Sequence, residues 1–315
     1  MRKLMGNANS RPSEKTDNTT KILLATPEDY PARKICSPCG GEKKLPSSCS
    51  SMKKNTEQER KKPTVAAPSW VMAGSVYENC VFLEGKVDEV ALLFFESESC
   101  LAYGEEDLPR ELAQLDLSYH VHLPLDLAWD NPEAVAETIV TLMQKVRFLG
   151  VQQAVLHPPV TSGKNALSVE HAQQALRLVA RAWSKHGFDC KDLLLENVEG
   201  ADLIHLAPVI TSLELGVCID IGHIIAYGHD ALLDRADIFN RLRMLHLNAP
   251  ADVTTAKGRS KHASLVHLDA AGKHVARKVL QHVRQDCVLV YELFNWKEIE
   301  SSFPVVNELF SFEGR

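Results

Sequence analysis

Residues 215–223 read LGVCIDIGH. A short apolar run ends in a carboxylate, Asp220, and three positions further on stands an imidazole, His223. A D-x-x-H is common by chance, so the stretch alone leaves two readings open: a metal site, or ordinary residues at the end of a strand. What ends the other apolar runs of the chain decides between them.

Seven further runs have the same form. SWVMA, EVALLFFES, SYHVHLPLDL, QQAVLHPPV and DLLLENVEG precede it, and RMLHLNAP and CVLVYELFN follow. Helical candidates lie between them, among them NPEAVAETIVTLMQKVRFLG, SVEHAQQALRLVARAWSKHG and AAGKHVARKVLQHVRQ. The second opens on Ser168 as a cap with Glu170 in its first turn, and its apolar residues recur at helical spacing. Gly150 and Gly187 are placed to stop their helices. Eight short apolar strands alternating with helices argue for parallel βαβ units. Eight such units in about 245 residues fit a single (β/α)8 TIM barrel, an α/β fold, over residues 68–315. An open doubly wound sheet would offer a Gly-rich phosphate loop after its first strand, and MAGSVYENC is not one.

Residues 1–67 differ. They lack sustained periodicity and are rich in Ser, Lys, Pro, Thr and Asn, which reads as a disordered extension. They carry 14 Lys+Arg against 7 Asp+Glu, net +7, so the remainder, with 21 basic and 34 acidic residues, is net −13. A body this acidic is poorly suited to a phosphate backbone. The tail holds a C-x-x-C at Cys36 and Cys39 and a third cysteine, Cys49, but no histidine, one ligand short of a structural zinc site. Met52 is a candidate start for the natural chain. No apolar run approaches the ~20 residues of a membrane span, and the N-terminus lacks the apolar core of a secretory signal. Cys80, Cys100, Cys190, Cys218 and Cys287 sit in or beside apolar runs, which suits reduced thiols and a cytoplasmic location.

The strand ends carry the chemistry. The third run ends at His120 and His122, the fourth at His157, the fifth at Glu196, the sixth at Asp220 and His223, the seventh at His246 and the eighth at Glu292; His262 lies in the loop after the seventh. In a parallel barrel all these carboxyl ends meet at one face, where such enzymes keep their active sites. Each residue taken singly reads as a hydrogen-bonded rim residue. Six successive strands ending this way do not, because carboxylates buried together without cations are costly. Acids and imidazoles in this mixture suit zinc, manganese or iron. A bridging carboxylate can hold two such ions roughly 3.5–4 Å apart for phosphoester hydrolysis.

In this order the residues resemble the xylose-isomerase-like TIM-barrel superfamily, which includes endonuclease IV and sugar epimerases. The resemblance covers about residues 68–312. It rests on His122 in HLP, His157 before Pro158, Glu196-Asn197, the D-x-x-H of Asp220 and His223, His246-x-Asn248, and the final Glu292. It implies a dinuclear centre contacted by Glu196 and Glu292, with His122 and His157 on one side and Asp220 and His246 on the other, and so resolves the opening stretch in favour of metal. Two divalent ions per chain, zinc above all, are the expected cofactors. Glu196, Glu292 and His223 are the expected catalytic residues. The endonuclease third metal is held by a D-x-H after the seventh strand; here GRSKHASL offers His262, with Ser260 where the acid should stand. Arg259, Lys261 and Asn248 are the expected substrate contacts.

The segments PSWVMAGSVYENCVFLEGKVDEVALLFFES, YHVHLPLDL, MLHLNAP and VLVYELFNW resemble the cobamide-remodelling phosphodiesterases of gut and anaerobic bacteria. That implies hydrolysis of the phosphoribosyl linkage in the nucleotide loop of cobalamin-type cofactors, giving a cobinamide phosphate and the base riboside. The implied partner is a corrinoid small molecule, with neither nucleic acid nor membrane. The alternative is a sugar isomerase or epimerase, which needs only Glu196, Asp220, His246 and Glu292; His122 and His157 argue for the diesterase. The net charge of −13 disfavours cleavage of abasic DNA. A non-catalytic corrinoid carrier would show D-x-H-x-x-G, which DIGHIIAYG does not match.

Overall fold

The computed structural model describes residues 63–311. Cys36, Cys39, Cys49 and Met52 lie outside the described residues. Eight parallel strands close into a barrel: β1 (Thr64–Pro68), β2 (Glu89–Leu93), β3 (Ser118–His122), β4 (Ala154–Leu156), β5 (Leu193–Glu196), β6 (Gly216–Asp220), β7 (Leu242–His246) and β10 (Val288–Val290), with β10 paired back to β1. Between β7 and β10 a two-residue antiparallel ribbon, β8 (Ala249–Pro250) and β9 (His262–Ala263), ties down the long loop. This is the (β/α)8 barrel expected. Among the described residues no helix is long and apolar enough to cross a membrane, and the five cysteines are free thiols, four of them buried.

The first strand begins earlier than the sequence suggests. TVAAP, not SWVMA, pairs with β10 and β2, so residues 64–67 belong to the barrel. Two alanines carry little apolar signal beside the charged run before them. SWVMA has the apolar content of a strand because Val71 packs into the core, but it is a loop whose Val71 and Met72 N–H groups donate to Asn79 Oδ1 at 2.8 and 3.1 Å. Removing residues 1–62 is therefore expected to leave turnover and the melting transition unchanged, whereas removing residues 1–68 deletes β1 and is expected to abolish cooperative unfolding. Thermal denaturation followed by circular dichroism checks both.

The helices form where local signals place them. Asn131 caps Pro132–Lys145, with proline in the first turn where its missing N–H costs nothing. Ser168 accepts from the His171 N–H to start Val169–Lys185, which buries Ala172, Leu176, Val179, Ala180 and Trp183 along one face. Gly187, at φ 89°, follows that helix as expected; Gly150, at φ 73°, instead closes a separate 3-10 turn after Pro132–Lys145.

Strand parity sets the rest. Alternate residues of a strand point to opposite faces. The inward set, Ala66, Ala91, Leu93, Val155, Leu194, Cys218, Met244, Val288 and Val290, fills the barrel as one cluster. The outward set, such as Val90, Leu92, Val121, Leu195, Val217, Ile219 and Leu245, packs under the helices. His122, Glu196, Asp220, His246 and Glu292 continue the inward parity at the carboxyl end, so the pleat that builds the core also aims these side chains at one point. His120 shares that parity one step lower, where its Nδ1 pairs with Glu89 away from the others.

Candidate metal centre

The convergence is close. Glu196 is fully buried. Its Oε2 lies 3.3 Å from His122 Nε2 and 3.2 Å from His157 Nε2, and its Oε1 lies 3.1 Å from His246 Nδ1 and 3.5 Å from His223 Nδ1. Glu292 Oε2 lies 3.1 Å from His246 Nδ1 and 3.3 Å from His262 Nδ1, and Glu292 Oε1 is 3.6 Å from His122 Nε2. The donor atoms of Glu196, Asp220, His246 and Glu292 all lie within 4.8 Å of one another, as do those of His122, Glu196 and His246, and those of Asp220, His223 and His262.

The hydrogen bonds leave the right lone pairs free. His122 Nδ1–H donates to the Leu123 carbonyl at 3.1 Å, His223 Nδ1–H to the Asn197 carbonyl at 2.9 Å, and His262 Nδ1–H to the Glu292 carbonyl at 3.0 Å. Carbonyl acceptors fix the tautomer and leave each Nε2 as a ligand atom. Glu196 Oε2 and Glu292 Oε2 are buried without a hydrogen-bond partner. Unpartnered buried carboxylate oxygens facing imidazole lone pairs are what a bound dication would satisfy. The residues fit a metal centre.

Asp220 is held on every side. Its Oδ1 accepts from the His223 N–H and its Oδ2 from Asn248 Nδ2, each at 2.6 Å. The Asn197 side chain hydrogen-bonds both the N–H and the carbonyl of Asp220, at 2.7 and 3.0 Å. Asn248 is thus buried beside Asp220, not on the wall of the cavity above. Gly222 leaves room for it: a Cβ there would sit 1.8 Å from Asn248 Oδ1. The E-N and H-x-N spacings point to these asparagines; nothing in the sequence points to Gly222.

Electrostatics follow from the crowding. Burial pushes the Glu196 and Glu292 carboxyls up, but the facing imidazoles, His246 foremost, outweigh it and hold both well below the usual carboxylate range. Burial pushes His122, His223 and His246 down; the surrounding carboxylates, and for His246 first the Cys218 sulfur, more than reverse this, so all three are raised. Asp220 is raised by burial. A raised imidazole contributes stability below its ordinary pKa of 6.5 that is lost as pH climbs through the folded value. Metals take only neutral imidazole, so binding must expel these protons. Apparent metal affinity is therefore expected to rise as pH climbs above the ordinary imidazole pKa of 6.5, while the metal-free protein loses stability as pH passes through the raised values. Titration calorimetry in two buffers of different ionisation enthalpy should show net proton release; pH-independent affinity would contradict the assignment.

Above the centre lies a cavity of about 850 Å³ onto which His122, His157, His223, His262 and Glu292 open. Its wall is largely apolar and aromatic, with Phe95, Leu125, Trp129, Tyr227 and Phe294. The Phe95 and Phe294 rings meet edge to face at 6.2 Å, and Phe294 stacks on His262 at 5.9 Å. The sequence reading misses these aromatics, although Phe95 and Phe294 stand just past the ends of β2 and β10. Ser260 lines this cavity. Arg259 does not: it lines a smaller neighbouring cavity, donating to the Val253 carbonyl at 3.2 Å. Lys261 is exposed and lines neither. Asp252 and Asp269 are engaged elsewhere, with Thr254 and with the Gly272 N–H.

Residues 94–305 match the family described as xylose isomerase-like TIM barrel. The chain belongs to that family. In fold it is similar to endonuclease IV from Thermus thermophilus, at 21% identity over 79% of this chain and 99% of that one, with a TM-score of 0.57. A D-tagatose 3-epimerase-like protein gives 16%, 79%, 97% and 0.58. The IOLI protein with a binding zinc atom gives 14%, 79%, 98% and 0.60. No curated protein matches the chain in sequence.

Proposed function

We propose that the protein is a metal-dependent phosphodiesterase that hydrolyses the phosphoribosyl linkage in the nucleotide loop of cobamides, releasing a cobinamide phosphate and the base riboside. The observation that carries the diesterase reading is the placement of His122 and His157. Both Nε2 atoms face Glu196 Oε2, the oxygen turned away from His246. They complete a second ligand set on a glutamate that the Asp220–His246 set already uses. An isomerase or epimerase, the alternative reading, needs only the latter set. The wide apolar cavity supports a bulky substrate with an apolar body, as a corrinoid is; the acidic barrel argues against nucleic acid.

Glu196 and Glu292 would hold the ions together with His122 and His157 on one side and Asp220 and His246 on the other. Zinc suits these donors, and one structural neighbour contains it. Bound dications supply Lewis-acid polarisation of the phosphoryl oxygens and a water of lowered pKa. The chain's own residues manage the proton. His223 Nε2 and His262 Nε2 lie 3.4 Å apart, each with its Nδ1–H fixed on a carbonyl. A proton held between these two nitrogens would face the cavity. As water adds to phosphorus and the phosphorus–ribosyl oxygen bond breaks, this pair would give that proton to the departing oxygen and take one from the attacking water.

The same geometry supports a stoichiometry of two. Asp220 is the one acid in a third donor set with His223 and His262, and it already belongs to the set with Glu196, His246 and Glu292. Ser260 offers a neutral hydroxyl, a weak donor to a dication. Two ions are expected to survive extensive dialysis, and Ser260→Asp is expected to add a third or tighten it; three ions retained by the unmodified protein would refute this. Incubation of the purified protein with adenosylcobalamin, with and without a chelator, tests the function itself. Chelator-sensitive release of the riboside is expected. Absence of any corrinoid product with zinc, manganese or iron would overturn the cobamide reading.

A further inference from the structure

The smaller cavity, of about 540 Å³, shares Tyr227 and Glu199 with the main one, so one ligand can extend through both. Its character is opposite. Where the main cavity presents aromatic rings, this one presents the hydroxyls of Thr161 and Ser162, the carboxylates of Glu199 and Asp202, and Arg259. Its floor is preformed: the Thr161 and Ser162 N–H groups both donate to the Gly200 carbonyl, at 2.9 and 3.1 Å, tying the loop after β4 to the loop after β5. Gly200 holds φ 79°, and a Cβ there would lie 2.7 Å from the Ser162 carbonyl oxygen, so only glycine fits the join.

The cavity lies one ring from the metal centre. The Tyr227 ring stands 5.5 Å from that of His223 on one side and 5.9 Å from that of His229 on the other. His229 lines the smaller cavity, is only 8% exposed, and carries a buried Nδ1 without a partner. Several groups of the lining are unspent. Asp202 uses Oδ1 to accept from the Ile204 N–H at 3.0 Å, leaving Oδ2 open, and the Glu199 side chain makes no hydrogen bond among the described residues. Two carboxylates facing one guanidinium would oppose an anion. They suit a neutral, hydroxyl-rich group, since a carboxylate is an acceptor for sugar hydroxyls.

We infer that this second cavity is the subsite for the ribosyl group that departs with the base, with the corrinoid body held against the aromatic wall of the main cavity. The inference rests on the phosphodiesterase reading, because only a substrate with a glycosyl group beside the scissile phosphate would span both cavities across Tyr227.

The test is direct binding of 5,6-dimethylbenzimidazole riboside to the zinc-loaded full chain, by calorimetry. Asp202→Asn keeps the oxygen that accepts from Ile204 and removes the charge; Glu199→Gln, on an exposed residue, is the second variant. Each is expected to weaken riboside binding about tenfold or more, the effect of losing a hydrogen bond to a charged group, while zinc content stays as in the unmodified protein. The KM for adenosylcobalamin should rise in parallel, with kcat changing less. Riboside binding unchanged in both variants would overturn the assignment, as would failure of the unmodified protein to bind the riboside while it hydrolyses the cobamide. Riboside binding that depends on Asp202 and Glu199 in a protein inert toward cobamides would keep the subsite and reject only the reaction.

Discussion

Glu196→Gln is expected to lower turnover by about 10³-fold or more while the barrel remains folded, because in the proposed reaction several kcal/mol of charge stabilisation would depend on ions held by this side chain. The substitution keeps the volume of a fully buried side chain and removes its charge. The two oxygens of Glu196 face different pairs of imidazoles: His122 and His157 from Oε2, His246 and His223 from Oε1. A neutral amide presents one oxygen and one N–H donor, and the donor faces an imidazole lone pair or an ion it cannot ligate. Both ions should therefore weaken together. His246→Ala, Glu292→Ala and His157→Ala are also expected to abolish turnover, since each removes a ligand at the rim without opening the core. Metal analysis beside turnover, with circular dichroism for folding, is the measurement. Full activity in Glu196→Gln would remove that residue from the centre.

Gly222→Ala should damage the same centre without touching a ligand. Gly222 lies in the helix Ile221–Tyr227, where alanine is ordinarily the better residue. Here an added Cβ would lie 1.8 Å from Asn248 Oδ1, 2.8 Å from its Cγ and 3.2 Å from Asp220 Oδ1. Asn248 must move, and with it goes the 2.6 Å hydrogen bond that orients Asp220. Loss of a partner that orients a ligand costs about 10–100-fold in metal affinity or activity, and overpacking a buried site costs about 1–3 kcal/mol. The diagnostic result is a fall in metal affinity larger than the fall in melting temperature implies. An alanine variant that holds metal as tightly as the unmodified protein would show that Asn248 does not set the position of Asp220.

Most of this is written in the chain in one particular way. The inward ligands stand at the ends of apolar strands, where alternation puts Glu196 two positions past Leu194, Asp220 two past Cys218, and His246 two past Met244. A reader who sees the strands sees the site, because the pleat makes parity a direct consequence of position. The signal fails where packing, not periodicity, decides. TVAAP is a strand because its backbone bonds two neighbours, which two alanines do not advertise. Nearness to His262 in sequence points Arg259 and Lys261 at the phosphate. The short helix Ala256–Arg259, packed on Gly258, carries one into the neighbouring cavity and leaves the other in solvent. The role of Gly222 is a matter of one interatomic distance and has no counterpart in a pattern of residue types.

The pairing of β1 with β10 has a consequence for biosynthesis. Thr64 bonds alongside Val288, so the two edges of the sheet meet only after nearly the whole domain has left the ribosome. Contacts so distant along the chain are slow to form and leave strand edges open meanwhile. Glu292, the last residue of the cluster, lies two positions past the end of β10. His122, His157, Glu196, Asp220 and His246 all emerge before it, so an ion captured during synthesis would meet an incomplete cage. Sheet closure and delivery of the final carboxylate are thus one event, so the full cluster exists only in a chain that has finished folding.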